Sequence, residues 1–329
     1  MFDKREILYE ELEKVLNTKL LVYVTGDRPG YETQIASDAV DIFIEHLDAI
    51  GVVPKISLLL YTRGGQTLAG WNIVNLVKQF CDEFEVIIPH KAHSTGTLIS
   101  IGADRIIMTK QATLGPIDPS VNTPMNPQIL NAGPDARMPV SVEALNSYLD
   151  VAKNELGIND DIALANVLIK LSETVHPLVI GEAFRARNQI QMLAEKLLVK
   201  QVKEQESIKN IISFLCSDSG SHDYTINRTE AKENLGLNII KPTEEQYIII
   251  NKIYTSFSKE LELRKPFDLN QLMNSNPNGE YNITRVIIES ISGGKDVFAS
   301  KGRLTTVNLP NGMGTGINDN RTFEGWLHE

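Results

Sequence analysis

Cysteine is scarce in this chain: Cys81 and Cys216 are the only two in 329 residues. They can form one disulfide at most, so a disulfide-stapled scaffold is excluded and reduced thiols are the simpler reading. No Cys-x-x-Cys and no paired His/Cys spacing suggests zinc. Long apolar runs are missing too. Nothing approaches the roughly 20 residues of a membrane span. The amino terminus, Met1-Phe-Asp-Lys-Arg-Glu-Ile-Leu, is charged and lacks the apolar stretch of a signal peptide. A cytoplasmic protein with no membrane span is expected. Basic residues are outnumbered, 32 Lys and Arg against 42 Asp and Glu, for a net charge of −10. An acidic chain without a basic run is a poor electrostatic partner for nucleic acid or an anionic membrane. Internal repeats and coiled-coil heptads are absent as well.

What is present is an ordinary globular composition, 42% hydrophobic and 22% charged, with ample chain for a substantial core. Apolar positions at helical spacing predict a helix over 3–16 (Ile7, Leu8, Leu12, Val15, Leu16). Lys19–Gly26 reads as a buried strand, 35–50 as a helix, and Lys55–Thr62 as a second buried strand ending at Arg63-Gly64-Gly65. A helix over 67–80, a strand over 85–89, a short helix from Thr95 to Ala103, and strands at 104–109 and 112–114 follow. This alternation predicts an α/β layered fold. Residues 116–139, rich in Pro, Asn and Gly, read as a long surface loop of the kind that is often functional. Helices are expected near 141–156, 160–174 and 178–202, then a polar loop at 217–223 and a strand and helix over 224–236. From 244 the reading is a helix to 263, a Pro/Asn-rich linker over 266–282, and two strands around Ser292-Gly293-Gly294. The Gly/Asn-rich tail from 310 is expected to be loosely ordered. The boundaries are therefore 1–243 for an α/β domain and 244–329 for a C-terminal α+β extension.

Two places can hold chemistry. In Tyr61-Thr62-Arg63-Gly64-Gly65, paired glycines directly after a buried strand let backbone N–H groups approach a ligand, or simply make a turn. In His93-Ser94-Thr95-Gly96-Thr97, Ser94 falls between a strand and a helix start. There it is either an N-cap or a nucleophile whose developing oxyanion meets free amides. Taken alone, each site favours the plainer reading.

Together they are more specific. Tyr61-Thr62-Arg63-Gly64-Gly65, Ser94-Thr95-Gly96-Thr97-Leu98-Ile99, Ala103-Asp104-Arg105-Ile106-Ile107-Met108 and Leu114-Gly115-Pro116-Ile117-Asp118-Pro119 follow one another in order. This series resembles the serine dehydrogenase proteinase family of the Clp protease and crotonase superfamily, which is related to signal peptide peptidase A. The resemblance spans about residues 20–240 and implies a Clp/crotonase-type layered fold of repeated ββα units. It departs from the family pattern at Thr95, where a smaller residue is usual, and at His93, where Met or Ala is expected.

The resemblance further implies a serine peptidase without cofactor, with Ser94 as nucleophile and the amides of Gly65 and Thr95 as the oxyanion hole. The Clp-type histidine about 25 residues after the serine is replaced by Pro116-Ile117-Asp118-Pro119. A Ser–Lys dyad is then expected, with Lys153 at the edge of the apolar face of the 141–156 helix, where partial desolvation would lower its pKa. His222, next to Asp223, is the alternative base. His93 is expected to point away from Ser94, and His90 to pack in its loop or meet substrate. A polypeptide substrate and a homo-oligomer built from trimers are implied. A catalytically degraded binding protein and a crotonase-type acyl-CoA enzyme are the competing readings.

Overall fold

The computed structural model describes residues 2–130, 133, 135–218, 220–276, 278–308 and 314–329. Its residues divide into two compact units, Met1–Leu114 with Ile226–Glu329, and Gly115–Thr225.

The first unit begins with α1 (Phe2–Leu16), whose helical spacing turns Arg5, Tyr9 and Leu12 inward. It continues with β1 (Lys19–Thr25), α2 (Ala39–Ile50), β2 (Val53–Tyr61), α3 (Thr67–Val77) and β3 (Cys81–Ile88). Then come β4 (Lys91–Ala92), α4 (Thr95–Ile101), β5 (Arg105–Met108) and β6 (Thr113–Leu114). The expected α/β alternation is present. β1, β2 and β3 are buried almost end to end, as parallel strands covered on both faces must be. Several expected boundaries move, and the start of α2 shows why. Residues 35–38 are not helical, because the Ile35 amide donates to Gly64 O and its carbonyl accepts from the Gln66 amide. A parallel bridge to Gly65 takes the place of a first helical turn.

The second unit holds β7 (Ser120–Val121), inside the segment read as a loop, and β8 (Val140–Ser141), directly after it; the two pair antiparallel. Asn131, Ala132 and Pro134 of that segment lie outside the described residues. α5 (Val142–Asp150) is capped by the Ser141 hydroxyl and runs into a π-helical turn, Val151–Glu155. α6 (Asp161–Thr174), α7 (Pro177–Leu198) and α8 (Gln205–Ser213) follow. α7 starts with proline, whose missing N–H costs nothing at that position. Val121, Val140, Val142, Leu145, Val175, Val179 and Ala183 form this unit's core. α6 buries none of its residues. No single helix among the described residues is long and apolar enough to cross a membrane; α6 and α7 pass that test only as a pair bent by 101°.

The chain returns to the first unit with β9 (Ile226–Asn227), α9 (Arg228–Glu233) and β10 (Ile239–Ile240). α10 (Glu244–Glu260) opens on a capping box made by Thr243 and Gln246. α11 (Leu269–Ser275) lies within the segment read as a linker, of which Pro277 is outside the described residues. β11 (Glu280–Ser290), β12 (Gly294–Asn308) and β13 (Thr315–His328) then join the main sheet, whose order is β10-β5-β3-β2-β1-β11-β12-β13. β1, β2, β3, β5 and β10 run parallel, and β11 to β13 extend the β1 edge antiparallel. The tail read as loosely ordered is therefore strand β13 from Thr315, paired along β12; residues 310–313 lie outside the described residues. α1 and α10 bury Tyr9, Leu12, Ile250, Ile253 and Phe257 in one cluster with Val22, Val24, Leu59 and Ile287 of the sheet.

Candidate active site

The site forms where β2 and β4 end side by side. Thr62 and Ala92 make a parallel bridge. The Thr62 amide donates to Lys91 O at 3.1 Å, and the His93 amide donates to Thr62 O at 3.1 Å. The chain must then turn at once into α4, and Ser94 carries the turn with φ 51° and ψ −116°. This conformation lies outside the left-handed helical basin, and a non-glycine residue held there stores about 1–3 kcal/mol. The neighbouring hydrogen bonds hold it, from the Gly96 amide to His93 O at 2.8 Å and from the Leu98 amide to Ser94 O at 3.0 Å. Ser94 occupies the N-cap position, yet its side chain makes no capping hydrogen bond. The N-cap reading thus does not account for the hydroxyl. A strained strand-to-helix turn is how a nucleophilic serine is presented.

Gly64 and Gly65 pass directly beside it, with φ 117° and 152°. A Cβ on Gly64 would lie 2.6 Å from Ser94 Cβ and 3.1 Å from Ser94 Oγ. A Cβ on Gly65 would lie 2.2 Å from Ile35 O. Both positions need glycine for space as well as for φ. The Ile35 bridge takes the Gly64 carbonyl and the Gln66 amide, so in this extended run the Gly65 amide faces the other way. Among the described residues neither the Gly65 nor the Thr95 amide has a hydrogen-bond acceptor.

Thr95 fits where a smaller residue is usual. Its hydroxyl donates to Gly65 O at 2.6 Å, which ties the glycine run to the start of α4. Room for its methyl comes from Gly70 of α3, where a Cβ would lie 2.4 Å from Thr95 Cγ2. The His93 imidazole meets Thr113, with Nε2 2.9 Å from Thr113 Oγ1. His90 packs in its loop, stacked on Tyr254 with centroids 5.5 Å apart. Burial, then the charges of Lys91 and Arg264, push its imidazole below the usual range. Lys91 is bound to Asp27 at 2.6 Å, which also draws in Arg63 at 3.5 Å.

The two base candidates both lie in the second unit. Lys153 is exposed, in the π-helical turn after α5. His222 places Nδ1 2.7 Å from Asp118 Oδ1, and the carboxylate is 9% exposed. A carboxylate on Nδ1 selects the tautomer that carries its basic lone pair on Nε2. The pairing of Asp118 with His222 was not read from the sequence. Asp118 itself stands in Leu114-Gly115-Pro116-Ile117-Asp118-Pro119, but its partner lies 104 residues away.

Residues 39–156 match the model of the ClpP-like SDH-type serine proteinase family. An uncharacterized protein of Methanocaldococcus jannaschii is 33% identical over 213 residues, 64% of this chain. The chain spans 63% of that relative's length. A second uncharacterized protein of the same organism is 28% identical over 72% of this chain and 71% of its own length. A mutant of the 1510-N membrane-bound stomatin-specific protease aligns in structure with TM-score 0.40 and 15% identity, over 71% of this chain and 85% of its own. A ClpP1 mutant from Listeria monocytogenes aligns with TM-score 0.38 and 14% identity, over 72% of this chain and 99% of its own. The matched stretch, residues 39–156, carries both Gly64-Gly65 and Ser94.

Proposed function

We propose that the chain is a serine peptidase with Ser94 as nucleophile and the Gly65 and Thr95 amides as oxyanion donors. The observation that carries this reading is the strained turn at Ser94, whose hydroxyl does no capping. In the reaction, Ser94 Oγ attacks the peptide carbonyl and gives its proton to the base. The carbonyl oxygen becomes an oxyanion held by the two amides, each worth about 3–4 kcal/mol where such donors have been removed elsewhere. Collapse expels the amine, which takes the proton back from the base. Water then hydrolyses the acyl-enzyme with the same base. No cofactor takes part in this scheme.

His222, oriented by Asp118, is the base this reading assigns, because their hydrogen bond supplies the orienting carboxylate that an imidazole base needs. Lys153 of a Ser–Lys dyad is the alternative, and its exposure argues against the desolvation such a lysine needs. A fluorophosphonate probe should label the wild type and fail on Ser94→Ala. Absence of labelling on well-folded wild type sinks the peptidase reading. Loss of labelling in His222→Ala with retention in Lys153→Ala supports the imidazole; the reverse pattern moves the role to Lys153.

A cytoplasmic homo-oligomer built from trimers belongs to the same proposal. Ile162, Leu168 and Ile169 on α6 are 74%, 47% and 59% exposed, an apolar surface suited to self-association. A monomer by light scattering at working concentration overturns that part.

A further inference from the structure

The second unit contains a cavity of about 990 Å³, lined, among the described residues, by its own. This is at the upper end of small-ligand sites, which run to about 1,000 Å³. Val140 and Leu145, both buried, form part of its lining, and Leu171 adds to it. Ile129, Met138 and Tyr148 also line it while 39%, 54% and 43% exposed. The β7–β8 ribbon contributes Ser120 and Ser141, so an extended backbone lies along one wall.

The charges select among occupants. Asp118, Glu143 and His222 line the cavity, and among the described residues no Lys or Arg does. Arg187 stands behind Glu143 at 4.0 Å and donates to Ser217. A fatty acid or an acyl-CoA would bring anionic groups to the Asp118 and Glu143 carboxylates, with no Lys or Arg among the described lining residues to receive them. A polypeptide brings apolar side chains with a neutral backbone, and the hydroxyls of Ser120, Ser147 and Thr174 suit its amide groups.

From this we infer that the cavity is the recognition site for an extended, apolar segment of the polypeptide substrate, neutral or basic in charge. The inference rests on the peptidase reading for calling the occupant a substrate. Within the second unit, the His222–Asp118 pair forms part of the same wall.

Binding is measured with the full chain carrying Ser94→Ala, so that recognition is read without turnover. The probe is a fluorescein-labelled peptide rich in Leu, Val and Phe with lysines at its ends. Saturable anisotropy is expected. Replacing the lysines by glutamates should weaken binding about tenfold or more, or about 1.4 kcal/mol. Ile129→Glu and Tyr148→Glu, at partly exposed positions, should each weaken the lysine peptide by about the same factor while circular dichroism stays unchanged. The inference falls if the lysine peptide does not bind, or if the folded variants bind it as well as the parent does. It also falls if palmitoyl-CoA displaces the peptide at equal or lower concentration, which marks an acyl site. Loss of the oligomer in Tyr148→Glu, with no peptide binding to the parent, would show that a second copy fills the cavity. Failure here with intact phosphonate labelling of the wild type removes only the substrate assignment, whereas absent labelling removes the peptidase reading itself.

Discussion

The contact between Gly70 and Thr95 offers a quantitative test of how the start of α4 is packed beside Gly64-Gly65. Gly70→Ala adds one methyl to the interior of α3. In an exposed helix this change gains about 0.8–1.0 kcal/mol. Here the new Cβ would lie 2.4 Å from Thr95 Cγ2 and 3.3 Å from Ile99 Cγ1. Thr95 is 1% exposed, and its hydroxyl is fastened to Gly65 O at 2.6 Å. The side chain therefore cannot rotate its methyl away without giving up that bond. Overpacking of this kind costs about 1–3 kcal/mol, so Gly70→Ala should be neutral to destabilising by about 2 kcal/mol. Thr95→Ser removes the obstructing methyl, at about 0.8 kcal/mol for the lost burial, and keeps the hydroxyl. In that background Gly70→Ala should recover its helix gain. The double-mutant cycle should show a favourable coupling of about 1–3 kcal/mol in urea denaturation with constant slope. Phosphonate labelling is the second readout. Gly70→Ala should slow it, because a displaced Thr95 carries its amide with it, and the double variant should restore it. A coupling below about 0.5 kcal/mol would refute the packing argument.

Two further outcomes follow from buried polar groups in the first unit. His46 is fully buried, with Nδ1 2.7 Å from Ser290 Oγ and Nε2 3.0 Å from Asp296, which also meets His328 at 3.2 Å. Burial is the largest influence and holds this imidazole below its usual value, against the opposing pull of Asp296. The unfolded chain then binds the proton more readily, so this contribution to stability is complete above the usual histidine value of about 6.5 and is lost as pH falls through the lowered one. The urea midpoint should drop between neutral and mildly acid pH, and His46→Gln should flatten that drop; an unchanged slope refutes the assignment. Arg5, fully buried, donates Nε to Glu289 at 2.9 Å and Nη1 to Glu260 at 2.6 Å, and Tyr9 also donates to Glu289. Arg5→Met strands the Glu289 carboxylate and should cost about 3–5 kcal/mol in chemical denaturation, with Glu289→Gln recovering part of it in the double variant.

The sequence by itself determined the local pieces: buried apolar strands, helical spacings, and the paired glycines and serine placed where strands end. Those signals are short in range, so strand–helix alternation, Gly64-Gly65 and Ser94 were all legible in order. Other features depended on partners distant in the chain. The Gly/Asn-rich tail has weak strand propensity of its own, and β13 exists because β12 offers a long paired edge. Ile35 leaves the helical pattern because the carbonyl of Gly64 and the amide of Gln66 claim its backbone. The space that admits Thr95 lies on α3, and the carboxylate that orients His222 lies 104 residues before it. Only the tertiary structure gave Ser94 its strained turn, because φ 51° is imposed by the hydrogen bonds of β4 and α4 on either side and not by the serine.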